Sequence, residues 1–210
     1  VGRKQLRVAI LGNGAGASSW LMYDDTWTFW GMNSCHRRIE PPQWGLMANL
    51  HRFSHLERDC AEYVDWDSNF SRRNPKTPML VVDSWGRLLK NHAIYPRKEI
   101  AKMPRGEYHA SSFDMLVAYA ILLKAKYIDI HGAGFALDSP NEEPISARAC
   151  LEYWCGYAQG LGIKVNAYRS KGLFRQFHLV MTDTYYGFDD VRMVDEPMKL
   201  SETIRGSLPR

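Results

Sequence analysis

The chain has 210 residues, 45% of them hydrophobic, and a formal charge of +4, enough apolar material for one substantial core and a single domain. No apolar run approaches the ~20 residues needed to cross a bilayer. Val1 to Trp20 also lacks the apolar core and cleavage pattern of a signal peptide, so a soluble, cytoplasmic protein is expected.

Four cysteines, Cys35, Cys60, Cys150 and Cys155, form no CxxC pair and no zinc-like cluster, and free buried thiols are expected. Positive residues group at Arg3, Lys4 and Arg7, at His36 to Arg38, at Arg72 and Arg73, and from Arg169 to Arg175. Such clusters suit phosphate, on a nucleotide or on nucleic acid, and equally a solvated face.

Leu6 to Leu11 predicts a fully buried strand, because Val8, Ala9, Ile10 and Leu11 are continuously apolar rather than alternating. Gly12, Asn13, Gly14, Ala15 and Gly16 follow at once, small residues that let the chain turn tightly and present N–H groups to an anion. The spacing is GxGxG rather than the GxGxxG dinucleotide fingerprint. Trp27 to Met32 predicts a second strand; if it runs parallel to the first, Asn33 emerges at the same sheet edge as Asn13.

Pro41 and Pro42 then break the chain, and Trp44, Leu46, Met47 and Leu50 predict a helical stripe. His51 and His55 would fall one turn apart on it, without a third ligand, so packing or surface roles are expected of both. Tyr63 to Trp66 and Pro78 to Val82 read as strands joined by a polar loop, with Asp65, Asp67 and Asp83 near their ends as caps or carboxylate ligands. Trp85 to Arg105 reads as irregular, with a turn at Pro96 and a short helix after it.

The stretch from Ala110 to Phe135 organises the rest. Ser111 and Ser112 open a helix carrying Phe113, Met115, Leu116, Ala118, Tyr119, Leu122 and Leu123. Their hydroxyls can cap free N–H groups, and the same N–H groups can meet a phosphate. Tyr127 to Ile130 predicts a strand ending in the turn His131, Gly132, Ala133, Gly134, a site candidate by position alone in an α/β sheet. Asp138, Glu142 and Glu143 lie in an acidic loop, Ile145 to Leu161 predicts a helix ended by glycines, and Ile163 to Val165 adds a strand. Arg169 to Arg210 is less regular, with a strand-like run from Phe177 to Met181, and reads as a lid, an edge strand or an oligomer arm.

The segments VAILGNGAGAS, TFWGMNS and ASSFDMLVAYAILLKAKYIDIHGAGF resemble the bacterial sialyltransferases of the small single-domain type. Those carry GNGPS after a strand, an asparagine at the end of the next strand, and a TSG-containing helix start leading to a strand and a GID turn. The outline, with Tyr95 to Arg97, Glu152 to Trp154, Gly162 and Ile163, is also similar to phage-encoded proteins of uncharacterised activity.

The resemblance implies an α/β fold: a single Rossmann-like domain over residues 1–168, with a mostly parallel sheet flanked by helices, and an irregular C-terminal extension over 169–210. It implies a nucleotide-sugar-dependent glycosyltransferase with the donor as co-substrate and no tightly bound cofactor. Gly12, Asn13 and Gly14 would cradle donor phosphate and sugar, Asn33, Ser111 and Ser112 would contact the nucleotide, and Gly132 with Gly134 would admit its base or ribose.

Three positions depart from the family: Ala15 stands for its proline, Ala110 for its threonine and Gly134 for its GID acid. The family's loop histidine also has no counterpart in SPNEEPISAR. Glycosyl transfer needs a general base, leaving Glu143, Glu142 or Asp138 and, at the strand end, His131 as candidates, with Arg148, Arg169 or Lys171 to hold phosphate. The acceptor would be a glycan or a modified base in phage DNA, the location the host cytoplasm if the protein is phage-encoded, and self-association is left open. The alternatives are a non-catalytic nucleotide-binding or sequestering phage protein and a pyrophosphokinase-like enzyme. The latter would need magnesium carboxylates from Asp65, Asp67 and Asp129.

Overall fold

In the computed structural model, residues 5–14, 22–39, 41, 43–51, 68–82, 89, 91–136 and 143–168 are described. Two compact units make up the chain, residues 1–173 and 174–210, and every described residue belongs to the first. The expected C-terminal strand, the Tyr63 to Trp66 strand, His55, Cys60, Asp65, Asp67 and Asp83 lie outside the described residues.

Seven parallel strands form one sheet in the order β5-β4-β3-β2-β1-β6-β9. They are β1 (Arg7–Leu11), β2 (Thr28–Met32), β3 (Trp44–Asn49), β4 (Met79–Val81), β5 (His92–Ile94), β6 (Tyr127–His131) and β9 (Lys164–Tyr168). A separate two-stranded ladder pairs β7 (Phe135–Ala136) with β8 (Glu143–Pro144). The helices are α1 (residues 68–73), α2 (Arg97–Ile100), α3 (Ser112–Leu122) and α4 (Ile145–Gly160), with a 3-10 turn at Cys35–Arg37.

β1 is central because its sequence suits burial on both faces: Val8, Ala9, Ile10 and Leu11 are all fully buried. Its alternate residues serve two cores. Ala9 and Leu11 join Phe29, Trp44, Met47, Met79, Val81 and, from α1, Phe70 on one face. On the other face lie α3 and α4, packed on one another, with Tyr119 of α3 set against Trp30 of β2 at 5.4 Å between ring centroids. Leu116 and Val117 of α3 and Trp154 of α4 are fully buried. Each such side chain stabilises the fold by about 1.5–3 kcal/mol relative to exposure.

Ser111 caps α3 through a reciprocal pair. Its hydroxyl accepts from Asp114 N–H at 3.4 Å, and Asp114 Oδ2 accepts from Ser111 N–H at 2.7 Å. The predicted strands at residues 6–11, 27–32, 78–82, 127–130 and 163–165, and the helices at 110–123 and 145–161, all form within a few residues of expectation.

Four expectations are overturned. Trp44 to Leu50 is strand β3, not a helix, because its apolar residues pair with β2 and β4 inside the sheet, where continuous burial mimics a helical stripe. His51 therefore follows a strand end, and His55 lies outside the described residues. The polar loop before Pro78 contains α1, whose Phe70 is buried, and the irregular stretch before Pro96 contains edge strand β5. Glu143, expected in a flexible loop, lies in β8, paired in register with Phe135. Among the described residues no helix is long and apolar enough to cross a membrane.

Candidate functional site

The chain runs outward from β1 to β5 on one side and returns to β6 on the other, so the strand order reverses between β1 and β6. In an open parallel sheet the crevice outside the carboxyl ends of the strands at such a reversal is where ligands collect. Gly12, Asn13 and Gly14 leave β1 there, and Gly132 leaves β6. The two turns are tied together: Gly12 N–H donates to His131 O at 2.9 Å and Gly14 N–H to Gly132 O at 3.1 Å. Gly132 makes this possible with a φ of 67°, a left-handed conformation that glycine adopts without strain.

These bonds change the role expected of the glycines. The amides of Gly12 and Gly14, read as phosphate donors, are already engaged by the β6 turn. A Cβ at Gly12 would lie 2.2 Å from Phe113 Cζ, and one at Gly14 would lie 2.4 Å from Gly132 O. Close approach of three chain segments therefore accounts for both glycines without a ligand. The same contact places the first turn of α3, with Ser112 buried behind its cap, against the β1 turn. Ser111 has its hydroxyl in the cap, donating to Asp114 Oδ2 at 3.0 Å.

Asn13 and Asn33 are brought together as expected, β2 being parallel to β1. Asn13 Nδ2 donates to Ser34 Oγ at 3.4 Å, joining the two strand-end turns. Asn33 has φ 49°, a left-handed conformation in which asparagine is enriched, and its N–H donates to Ala48 O at 2.7 Å. The Oδ1 atoms of Asn13 and Asn33 are both buried and without a hydrogen-bond partner among the described residues. A third asparagine, Asn49, ends β3 fully buried. Reading its segment as a helix hid it; reading a strand would have exposed asparagines at or just beyond three adjacent strand ends.

His131 ends β6 with its side chain engaged inside the fold. It shares a register row with Leu11 and Tyr168, on the face opposite α3, and is fully buried. Its ring stacks on Tyr168 at 4.9 Å, and its Nε2 meets Tyr23 Oη at 2.5 Å. Tyr23 in turn donates to Asp129 Oδ2 at 2.6 Å, while Asn166 Nδ2 donates to Asp129 Oδ1 at 2.8 Å. With the phenol proton on Asp129, His131 Nε2 must carry the proton it shares with Tyr23. Burial raises the Tyr23 phenol well above its ordinary range, reinforced by Asp129. Asp129 is held by two donors in this network, and among the described residues no group of three or more metal-ligating side chains forms.

Burial pulls His131 down from 6.5 to about 4, with Asp129 opposing. Between these values the unfolded chain takes up a proton that the folded imidazole refuses, so stability is full above pH 6.5 and falls toward pH 4. The loss approaches roughly 3 kcal/mol as an upper bound. Urea unfolding of His131→Gln should show a flatter dependence than the native chain across that window. An identical slope would place the titration elsewhere.

Of the other expected residues, Gly134 is half-buried beside fully buried Ala133 and does not adopt a left-handed φ. Arg148, expected at phosphate, has its Nε 3.3 Å from Glu152 Oε1, one turn along α4. Glu142, Asp138, Arg169 and Lys171 lie outside the described residues.

No protein-family model matches the chain, and no curated protein is significantly similar to it. Among solved structures, the sialyltransferase CstII from Campylobacter jejuni, in complex with the substrate analogue CMP-3FNeuAc, superposes with a TM-score of 0.53 at 14% identity. The match covers 77% of this chain and 79% of that one. The same enzyme with cytidine-5'-monophosphate gives a TM-score of 0.47 at 12% identity, covering 83% and 82%. The chain thus shares its α/β fold, a seven-stranded parallel sheet flanked by helices, with a sialyltransferase.

Proposed function

We propose that the protein is a nucleotide-sugar-dependent glycosyltransferase that binds its donor in the crevice between β1 and β6. The observation that carries this reading is a pair of buried amide oxygens without a partner among the described residues, that of Asn13 at the strand-order reversal and that of Asn33 at the end of neighbouring β2. A buried acceptor without a donor costs about 1–3 kcal/mol, and a nucleotide supplies amino and hydroxyl donors that would remove that cost. The likeness to an enzyme solved with a CMP-sugar analogue supports the same ligand class. The acceptor on this reading is a glycan or a base in phage DNA, and exposed Arg38, Arg72 and Arg73 suit a phosphate-bearing acceptor.

Burial of His131 favours a second reading, a protein that binds a nucleotide without turning it over, because one of the expected bases is fully buried and held by Tyr23 and Tyr168. Thermal shift against CMP, UDP, GDP, ADP-ribose and their sugar conjugates tests both. A ligand at 100 times its Kd should add about 2.7 kcal/mol. Asn33→Gly keeps the left-handed backbone and deletes the amide, so it should weaken binding about tenfold while leaving the ligand-free protein at least as stable. Slow hydrolysis of the bound conjugate selects the enzyme, and binding without turnover selects the second reading. If no nucleotide shifts the melting curve, both are wrong. Duplex DNA at two salt concentrations tests the nucleic-acid acceptor, whose phosphate-driven binding would weaken steeply with salt.

A further inference from the structure

A second polar centre lies beside the crevice, built around His109 and Asp114, to which the sequence assigned no role. Asp114 is fully buried, and both its oxygens are engaged. Oδ2 accepts from Ala110 N–H, Ser111 N–H and Ser111 Oγ at 3.1, 2.7 and 3.0 Å, and Oδ1 pairs with His109 Nδ1 at 2.7 Å. A carboxylate so surrounded by donors stays an acceptor. Nδ1 of His109 is therefore the donor to it, so that in the neutral imidazole Nε2 is the lone pair, and that atom is buried with no partner among the described residues. The ring is held flat against Trp154, with centroids 5.0 Å apart and planes 2° from parallel, and Trp154 Nε1 is anchored on Tyr108 O at 2.8 Å.

His109 also forms part of the wall of a cleft of about 590 Å³ between α2 and α3. That size falls in the range of small-molecule sites. Ile100 and Met115 give it an apolar floor, and Tyr95, whose hydroxyl donates to Met115 O at 2.9 Å, is buried in it. Arg97, Lys98 and Glu107 are its exposed charged residues. Among the described residues neither Arg97 nor Lys98 has a carboxylate partner. The cleft adjoins the donor crevice through the chain itself. His109 is two residues before Ser111, at most about 7 Å of extended backbone, and the helix that Ser111 caps abuts Gly12.

Resting on the glycosyltransferase reading, we infer that this cleft holds a hydroxyl-bearing, negatively charged acceptor and that His109 is the general base for its transfer. The acceptor's acid group meets Arg97 and Lys98. As the acceptor oxygen bonds to the anomeric carbon, its proton passes to His109 Nε2. The bond from that carbon to the donor phosphate breaks, and its electron pair leaves with the nucleotide. Asp114, beside Nδ1–H, offsets the charge of the resulting imidazolium, which returns the proton to water. A carboxylate that fixes both tautomer and ring orientation is what such a base requires.

The test uses the nucleotide sugar that stabilises the protein most in the thermal-shift panel, with water as the acceptor and release of free nucleotide as the readout. His109→Ala should slow release by about 10²–10⁴-fold, with the nucleotide-induced thermal shift retained and activity partly restored by added imidazole. Unchanged release in His109→Ala, or a loss that imidazole does not restore while the fold and the thermal shift persist, overturns the inference and leaves the donor site standing. Absence of any nucleotide-induced shift in the native protein removes the donor site and this inference with it.

Discussion

Asp114→Ala should be among the most destabilising single substitutions in the chain, costing about 3–5 kcal/mol. The side chain is fully buried and receives four hydrogen bonds, two of them from backbone amides at the start of α3. Alanine leaves those amides, the Ser111 hydroxyl and His109 Nδ1 without their acceptor, and groups bonded to a charged partner lose more than neutral pairs do. Asp114→Asn keeps the shape and one oxygen but turns a donor toward groups that are themselves donors, so it should fall between native and alanine. Ser111→Ala removes only the hydroxyl half of the cap and should cost about 1 kcal/mol. For a domain of this size the alanine variant should melt roughly 10 °C or more below the native protein. Denaturant midpoints should rank native, Ser111→Ala, Asp114→Asn and Asp114→Ala in that order; near-native stability of the last would mean that the cap carries little of the fold.

That network also shows what was readable before the structure. The helix start was evident, because Ser-Ser before an apolar periodic run is a local signal, and the VAIL run announced a buried central strand. What hid was the third dimension of each signal. Aspartate three residues after Ser111 completes the cap, but nothing local tells that its second oxygen takes His109, five residues back. Trp44 to Leu50 looked helical because a strand buried on both faces has no alternation to read. The pairing of Asn13 with Asn33 is legible, since parallel strands in register put their ends on one edge, whereas Asn49 is hidden with its strand. The place of His131 at the end of β6 is legible, but its register with Leu11, which sets the ring on the face opposite α3, is not. The glycine turn was legible as a turn, but its packing on Phe113 and Gly132, more than 100 residues distant, was not.

Gly14→Ala separates two accounts of that turn. If the glycine exists to let a phosphate approach the backbone, the substitution weakens nucleotide binding and leaves the ligand-free protein as stable as before. The packing around it predicts otherwise. The new Cβ would lie 2.4 Å from Gly132 O and 3.0 Å from Gly132 C, backbone atoms that cannot swing aside as a side chain can. Relief requires parting the β1 and β6 turns, which lengthens the 3.1 Å bond from Gly14 N–H to Gly132 O. Overpacking of this kind costs about 1–3 kcal/mol, and a lost hydrogen bond adds about 1 kcal/mol. Gly12→Ala should cost less, since its nearest obstacle is the edge of the Phe113 ring, although Gly132 O stands 3.0 Å away. Asn13 lies between the two glycines, so parting the turns also moves its Oδ1, and Gly14→Ala should lose the nucleotide-induced thermal shift as well as stability. A variant that binds poorly yet unfolds at the native midpoint would return the turn to the phosphate-cradle account. One that unfolds early, with Gly12→Ala closer to native, would show that the crevice is shaped first by the contact of its own two turns.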